Sequence, residues 1–155
     1  MKIIIDGDSS PFKEVVIELA AEYKVSVVIV LSVSHFYKED HEHVSLIVVD
    51  NISQAADMKI FNITEKGDVV ITGDWGLASL ILSKHAYAIS PRGMVYEPDK
   101  MDYLLAKRHR DAKLRRSGER TKGPVKLTDE DREKLRKILT EILEKSIRNV
   151  QNHSL

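Results

Sequence analysis

The chain opens on an apolar run, Ile3-Ile4-Ile5, that ends at Asp6. Adjacent branched apolar residues without polar alternation describe a strand covered on both faces, as in a parallel sheet. The same pattern returns at residues 25–31, 44–49, 69–72 and 87–90, the last stopped by Pro91. Helical spacing fills the gaps. Val15, Val16, Leu19, Ala20 and Tyr23 form one stripe after Pro11, a residue suited to a first helical turn. Residues 55–63 read as a second helix with Ser53 as its cap. Residues 77–82 read as a third, after the turn Gly73-Asp74-Trp75-Gly76. Strands alternating with helices predict a doubly wound α/β domain around a mostly parallel sheet.

The last third has a different pattern. Residues 99–117 read as a basic helix and 117–124 as a loop. Thr128 then caps a long helix carrying Leu135, Ile138, Leu139, Ile142, Leu143 and Ile147 on one face. The expected organisation is one domain over residues 1–148, with the basic helix and loop 99–127 and the terminal helix 128–148 packed on it. Residues 149–155 are expected to form a flexible tail.

Composition narrows the function classes. The 155 residues contain no cysteine, which excludes a disulfide scaffold, a thiol nucleophile and cysteine-ligated metal. No apolar run approaches the roughly 20 residues that span a bilayer. Asp6 arrives too early for a signal peptide, so a soluble cytoplasmic protein is expected. The formal charge is zero, but it is unevenly placed. Residues 1–100 carry 9 basic and 15 acidic side chains, a net −6; residues 101–122 carry 8 and 3, a net +5; residues 123–155 carry 7 and 6, a net +1. An acidic body beside a short basic segment suits a metal on one and a polyanion on the other.

The acids have a pattern of their own. Asp6 and Asp8 follow the first strand, Asp57 lies in the helix after the third, and Asp74 follows the fourth. In open parallel sheets the carboxyl ends of the strands face a common crevice. Aspartates meeting there repel one another unless a cation joins them, and oxygen ligands suit Mg²⁺ or Mn²⁺. The plainer alternative is that Asp6, Asp8 and Asp74 cap helices. His35, His41 and His43 suggest zinc only weakly, without a fourth ligand pattern, and read as a solvated loop. No glycine-rich phosphate loop and no serine elbow occurs.

On a helical wheel, Met101, Leu104, Leu105 and Ala112 share one face of the basic helix. Arg108 lies in the middle of that face and Arg115 near it, whereas Lys107, Arg110 and Lys113 point elsewhere. A guanidinium on an apolar stripe needs an anion, either a structural carboxylate or a phosphate gripped through two hydrogen bonds.

Several motifs together resemble the YaiI/YqxD family, also called UPF0178 or DUF188. They are D-x-D-x-x-P at Asp6 to Pro11, A-D at Ala56-Asp57, G-D-x-V-x-T-x-D-x-x-L-A at Gly67 to Ala78, and S-P-R-G at Ser90 to Gly93. The loop adds R-x-S-G at Arg115 to Gly118 and T-x-G-P at Thr121 to Pro124. The resemblance covers nearly the whole chain. It implies a PIN-like three-layer α/β fold with C-terminal helices. It also implies an acidic cluster of Asp6, Asp8, Asp57 and Asp74, with recurrent basic positions at Arg92, Arg108 and Arg115. Family members usually read D-A-D-A-C-P, whereas this chain has Gly7, Ser9 and Ser10, which speaks against a thiol-dependent mechanism. Members often place a second acid three residues before the helical aspartate. Gln54 stands there in this chain, favouring one metal over two.

Three functions follow in order of preference. The first is a divalent-metal-dependent nuclease or phosphodiesterase acting on RNA or another nucleic acid. Asp6, Asp57 and Asp74 would ligate Mg²⁺ or Mn²⁺, Asp8 would help orient water, and Arg92, Arg108 and Arg115 would bind substrate. The second is a nucleic-acid-binding protein without turnover. The third is a phosphatase resembling the haloacid dehalogenases, with Asp6 as nucleophile and Asp8 as general acid. The first reading expects the basic segment to close over the acidic sheet edge with Arg108 and Arg115 facing in.

Overall fold

The computed structural model describes residues 1–52, 54–118 and 126–153, without the side chains of 103–105, 108 and 153. Five strands form one all-parallel sheet: β1 (Lys2–Asp6), β2 (Ser26–Ser32), β3 (Val44–Val49), β4 (Val69–Ile71) and β5 (Tyr87–Ile89). The helices are α1 (Lys13–Glu22), α2 (Ala55–Ile63), α3 (Trp75–Ser83), α4 (Pro98–Arg116) and α5 (Asp129–His153). A single 3₁₀ turn, Val33–His35, leaves β2.

The strand order is β3-β2-β1-β4-β5. The chain therefore runs outward from β1 to β3, then crosses back to lay β4 on the other side of β1. This reversal opens a crevice beyond the carboxyl ends of β1 and β4, where open α/β sheets bind ligands. Register places Asp6 opposite Val30 on one flank and Ile5 opposite Ile71 on the other, so Asp6 is the last residue of the central strand.

The apolar runs divide between two faces, because successive strand residues point to opposite sides. Ile3 and Ile5 join Val27, Ile29, Val69 and Ile71 under α1 and α5. Ile4 joins Val30, Val70 and Ala88 under α2, α3 and the start of α4, which contributes Met101. Both faces are covered, giving the three-layer α/β architecture expected from the uninterrupted apolar strands. The terminal helix is part of this core: Leu135, Leu139 and Leu143 are fully buried against the sheet side.

The long helix starts where expected. Thr128 Oγ1 accepts from Asp131 N–H at 3.3 Å, and Asp131 Oδ2 accepts from Thr128 N–H at 3.1 Å, a reciprocal cap. It differs at its end: α5 runs on through 149–153, residues expected to fray. Nothing in that stretch breaks a helix, since it holds no Gly or Pro, although Val150 is exposed. The expected cap Ser53 lies outside the described residues. Gln54 occupies the N-cap of α2 in a left-handed conformation, φ 68°. Most of the expected loop 117–124 also lies outside them.

Candidate active-site cleft

A cleft of about 590 Å³ opens at the crevice beyond β1 and β4. Asp6, Asp8, Asp57 and Asp74 all line it, together with Ser9, Ser32 and Gln54. The four aspartates reach it by different routes. Asp6 is the buried end of β1, and its Oδ2 accepts from Thr72 Oγ1 at 2.8 Å. The same Thr72 oxygen accepts from Asp74 N–H at 3.0 Å, so one hydroxyl ties the ends of β1 and β4 together. Asp8 accepts from Ser32 N–H at 3.1 Å and meets His35 Nδ1 at 2.9 Å, which fixes it against β2. Asp57 sits in the first turn of α2.

Asp74 caps α3, its Oδ1 accepting from Leu77 N–H at 2.8 Å. The capping alternative is thus correct for Asp74, and it coexists with a place in the cleft. It fails for the first helix, where Phe12 is the N-cap and no side chain caps. Gly7 is required by close approach: a Cβ there would lie 2.9 Å from the Val30 carbonyl oxygen. That contact follows from the turn that carries the chain from Asp6 to Asp8 across the end of β2, where Gly7 N–H donates to Val30 O at 2.7 Å.

Burial and neighbouring charge perturb two of the acids. Burial pushes the Asp6 carboxyl above its ordinary value; hydrogen bonds from Thr72 and Ser9 oppose the rise, and the charges of Asp8 and Asp74 add to it. Asp57 is pushed up to about 6, first by burial and then by Asp74 and Asp6. Burial combined with neighbouring like charges is the setting of carboxylates that share a site. The donor chemistry, all oxygen and mostly anionic, fits a hard divalent cation. Among the described residues, however, no three His, Asp or Glu side chains converge into a ready-made ligand set. The fit is therefore to an ion such as Mg²⁺, which keeps several waters and takes only one or two carboxylates directly.

Some cleft residues escaped the sequence reading. Asp50 lines it and directly follows β3, so it too stands at the carboxyl end of a strand, as Asp6 and Asp74 do. His35 does not line the cleft; it is exposed, as the solvated reading expects, and contacts Asp8 and Ser32 Oγ at 2.9 Å from each. Only the folded contact could have shown this.

The basic positions are placed differently. Arg92 Nη1 donates to Asp131 Oδ2 at 2.9 Å, so this guanidinium holds the start of α5. Arg115 is exposed on the last turn of α4 instead of facing inward, and does not line the cleft. The side chain of Arg108 lies outside the described residues. Lys107, Arg110, Lys113 and Arg116 are exposed. Among the described residues no helix is long and apolar enough to cross a membrane.

Fold and cleft together define an open α/β protein with an acidic crevice at the point where its strand order reverses. The model described as "Uncharacterized BCR, YaiI/YqxD family" (DUF188) matches residues 4–145, and the chain belongs to that family. It is 45% identical over 148 residues to a UPF0178 protein of Enterococcus faecalis, covering 95% of this chain and 100% of that one. It is 42% identical over 133 residues to UPF0178 protein OB0454 of Oceanobacillus iheyensis, covering 85% and 91%. Among solved structures it is similar to Rae1 (YacP) from Bacillus subtilis, with a TM-score of 0.46 and 16% identity over 76% of this chain and 84% of that one.

Proposed function

We propose that this protein is a divalent-metal-dependent nuclease or phosphodiesterase acting on nucleic acid, with RNA as the expected substrate. One observation carries the reading: Asp6, Asp57 and Asp74, from three separate elements, line one cleft, where burial first and then the charges of Asp74 and Asp6 push Asp57 up to about 6. Folding pushes these charges together at a cost that a bound cation would offset. Asp6, Asp57 and Asp74 are the residues to hold Mg²⁺ or Mn²⁺, directly or through water. The ion when bound lowers the pKa of a water and stabilises charge developing on a phosphate.

The chain's own residues prepare that chemistry. Thr72 fixes Asp6 and the backbone of Asp74 at once. Asp8, anchored by Ser32 and His35, offers its remaining acceptor positions to a water in the cleft. The exposed arginines and lysines of α4 supply positive charge for the phosphate backbone outside the cleft. The phosphatase reading is weaker, because Asp6 is only 6% exposed and one of its oxygens is occupied by Thr72, which suits a ligand better than a nucleophile. The test is cleavage of mixed RNA and DNA with Mn²⁺. Asp74→Asn keeps an N-cap acceptor but loses the charge, and is expected to lose at least ~100-fold in rate. Equal rates in wild type and variant would remove the metal role.

A further inference from the structure

A second cavity, of about 560 Å³, adjoins the acidic cleft and shares Ser9 and Gly73 with it as a common wall. Its other lining is of a different character: Trp75, Tyr96, Pro91, Met94 and Leu127, with Arg92 at its border. Trp75 is the chain's one tryptophan and is half-buried. Tyr96 meets it edge to face, ring centroids 5.7 Å apart at 75°. Tyr96 is itself 2% exposed and donates from its hydroxyl to Thr72 O at 3.1 Å, so the aromatic wall is anchored to the strand end that holds Asp6.

The opposite wall is equally fixed. Ser90 N–H donates to Met94 O at 2.8 Å, and Met94 N–H donates to Ser90 Oγ at 3.0 Å, closing a tight turn. Gly93 in that turn has φ +84° and lies so close to α5 that a Cβ would meet Leu135 N at 2.5 Å. Arg92 ties the same turn to Asp131. A preformed slot with apolar and aromatic walls, walled off from a phosphate-chemistry site by two small residues, suits a planar heterocycle attached to the reacting strand.

We propose that this cavity receives one unpaired nucleobase of the strand whose phosphate lies in the acidic cleft, so that the substrate class is single-stranded nucleic acid. The inference rests on the nuclease reading above and deepens it. A duplex keeps its bases stacked and paired inside, so it cannot fill the slot without extruding one. A third cavity, on the other side of the cleft, is a poorer candidate. It contains Phe61, but Lys84 Nζ covers that ring at 4.1 Å, so its face is already taken.

The single tryptophan makes the test direct. Wild-type protein in EDTA is titrated with a short single-stranded oligouridine and with the same strand annealed to its complement, following Trp75 fluorescence. The single strand is expected to quench it and the duplex to leave it unchanged at equal nucleotide concentration. Met94→Glu, at a position 39% exposed, is expected to weaken single-strand binding on the order of tenfold with an unchanged melting temperature. Leu80→Glu, which brings the same charge to the cavity on the other side, is expected to bind like wild type. Equal quenching by duplex and single strand, no quenching by either, or equal weakening by Met94→Glu and Leu80→Glu would each overturn the proposal. Because no turnover occurs in EDTA, quenching without any cleavage under Mn²⁺ breaks the nuclease reading and leaves the base slot. Cleavage without quenching does the reverse.

Discussion

The sheet edge and helix α4 carry opposite charge and are held in opposite ways. At the edge, Asp6, Asp8 and Asp74 each accept a hydrogen bond from a neighbouring element or turn. The turn after β5 is pinned to α5 through Gly93 and Arg92. On α4, Met101 near the start is buried, while Lys113, Leu114, Arg115 and Arg116 at the end are all exposed. Acids that repel one another are kept together by packing. Lys113, Arg115 and Arg116 at the end of α4 are left in water. The difference separates a preorganised site from a surface that acts at longer range through its field.

Substitutions should therefore have unequal effects in the two regions. The largest is expected at Gly93→Ala, which places a Cβ against the α5 backbone in a left-handed conformation. It should destabilise the protein by about 3 kcal/mol or more in chemical denaturation. A loss near zero would mean that the turn is not packed on α5 as described.

A smaller effect of opposite sign is expected at Asp57. Its folded pKa, about 6, lies above the ordinary 3.8, so the native state holds the proton more readily than the unfolded chain. The stability linked to Asp57 is then fully present below about pH 4 and is lost as pH rises through 6. Asp57→Asn should stabilise the metal-free protein at pH 7 by about 1 kcal/mol, a figure reduced for the solvent that reaches this half-buried group. The gain should vanish near pH 4. A gain independent of pH would remove the charge argument.

The smallest change in stability is expected on α4. Replacing Lys113, Arg115 and Arg116 together by Ala should shift stability by no more than about 0.5 kcal/mol. The same variant should lower the salt slope of single-strand binding by about 2, from three lost phosphate contacts. An unchanged slope would separate α4 from nucleic-acid binding altogether.

Much of this contrast was legible in the sequence, and the parts that were not have physical reasons. Strand and helix periods put β3 at 44–49 and α2 at 55–63, the bounds observed. Aspartates placed just past strand ends pointed to a shared crevice, and the fold brings all four to one cleft. Strand order was not readable, because parallel strands of equal apolarity carry no label for their neighbours. Hence the reversal between β1 and β4 emerged only from pairing. Asp50 also stands just past a strand end, and the sequence reading does not single it out. Arg92 takes its substrate role from the family resemblance alone, and its ion pair with Asp131, 39 residues away at the start of another helix, is not readable from spacing. Arg115 falls near the apolar stripe on a helical wheel, but it is exposed at the helix end, where Ala112 on that stripe is only partly buried.

The central claim is that the cleft aspartates form one cation-binding unit from which α4 is electrostatically separate. Mn²⁺ binding followed by electron paramagnetic resonance tests it most directly, using wild type, Asp6→Asn, Asp57→Asn and the triple alanine variant of α4. The account predicts that each aspartate variant weakens Mn²⁺ binding at least ~10-fold while the α4 variant binds as wild type does. Equal Mn²⁺ affinity in wild type and both aspartate variants would contradict it.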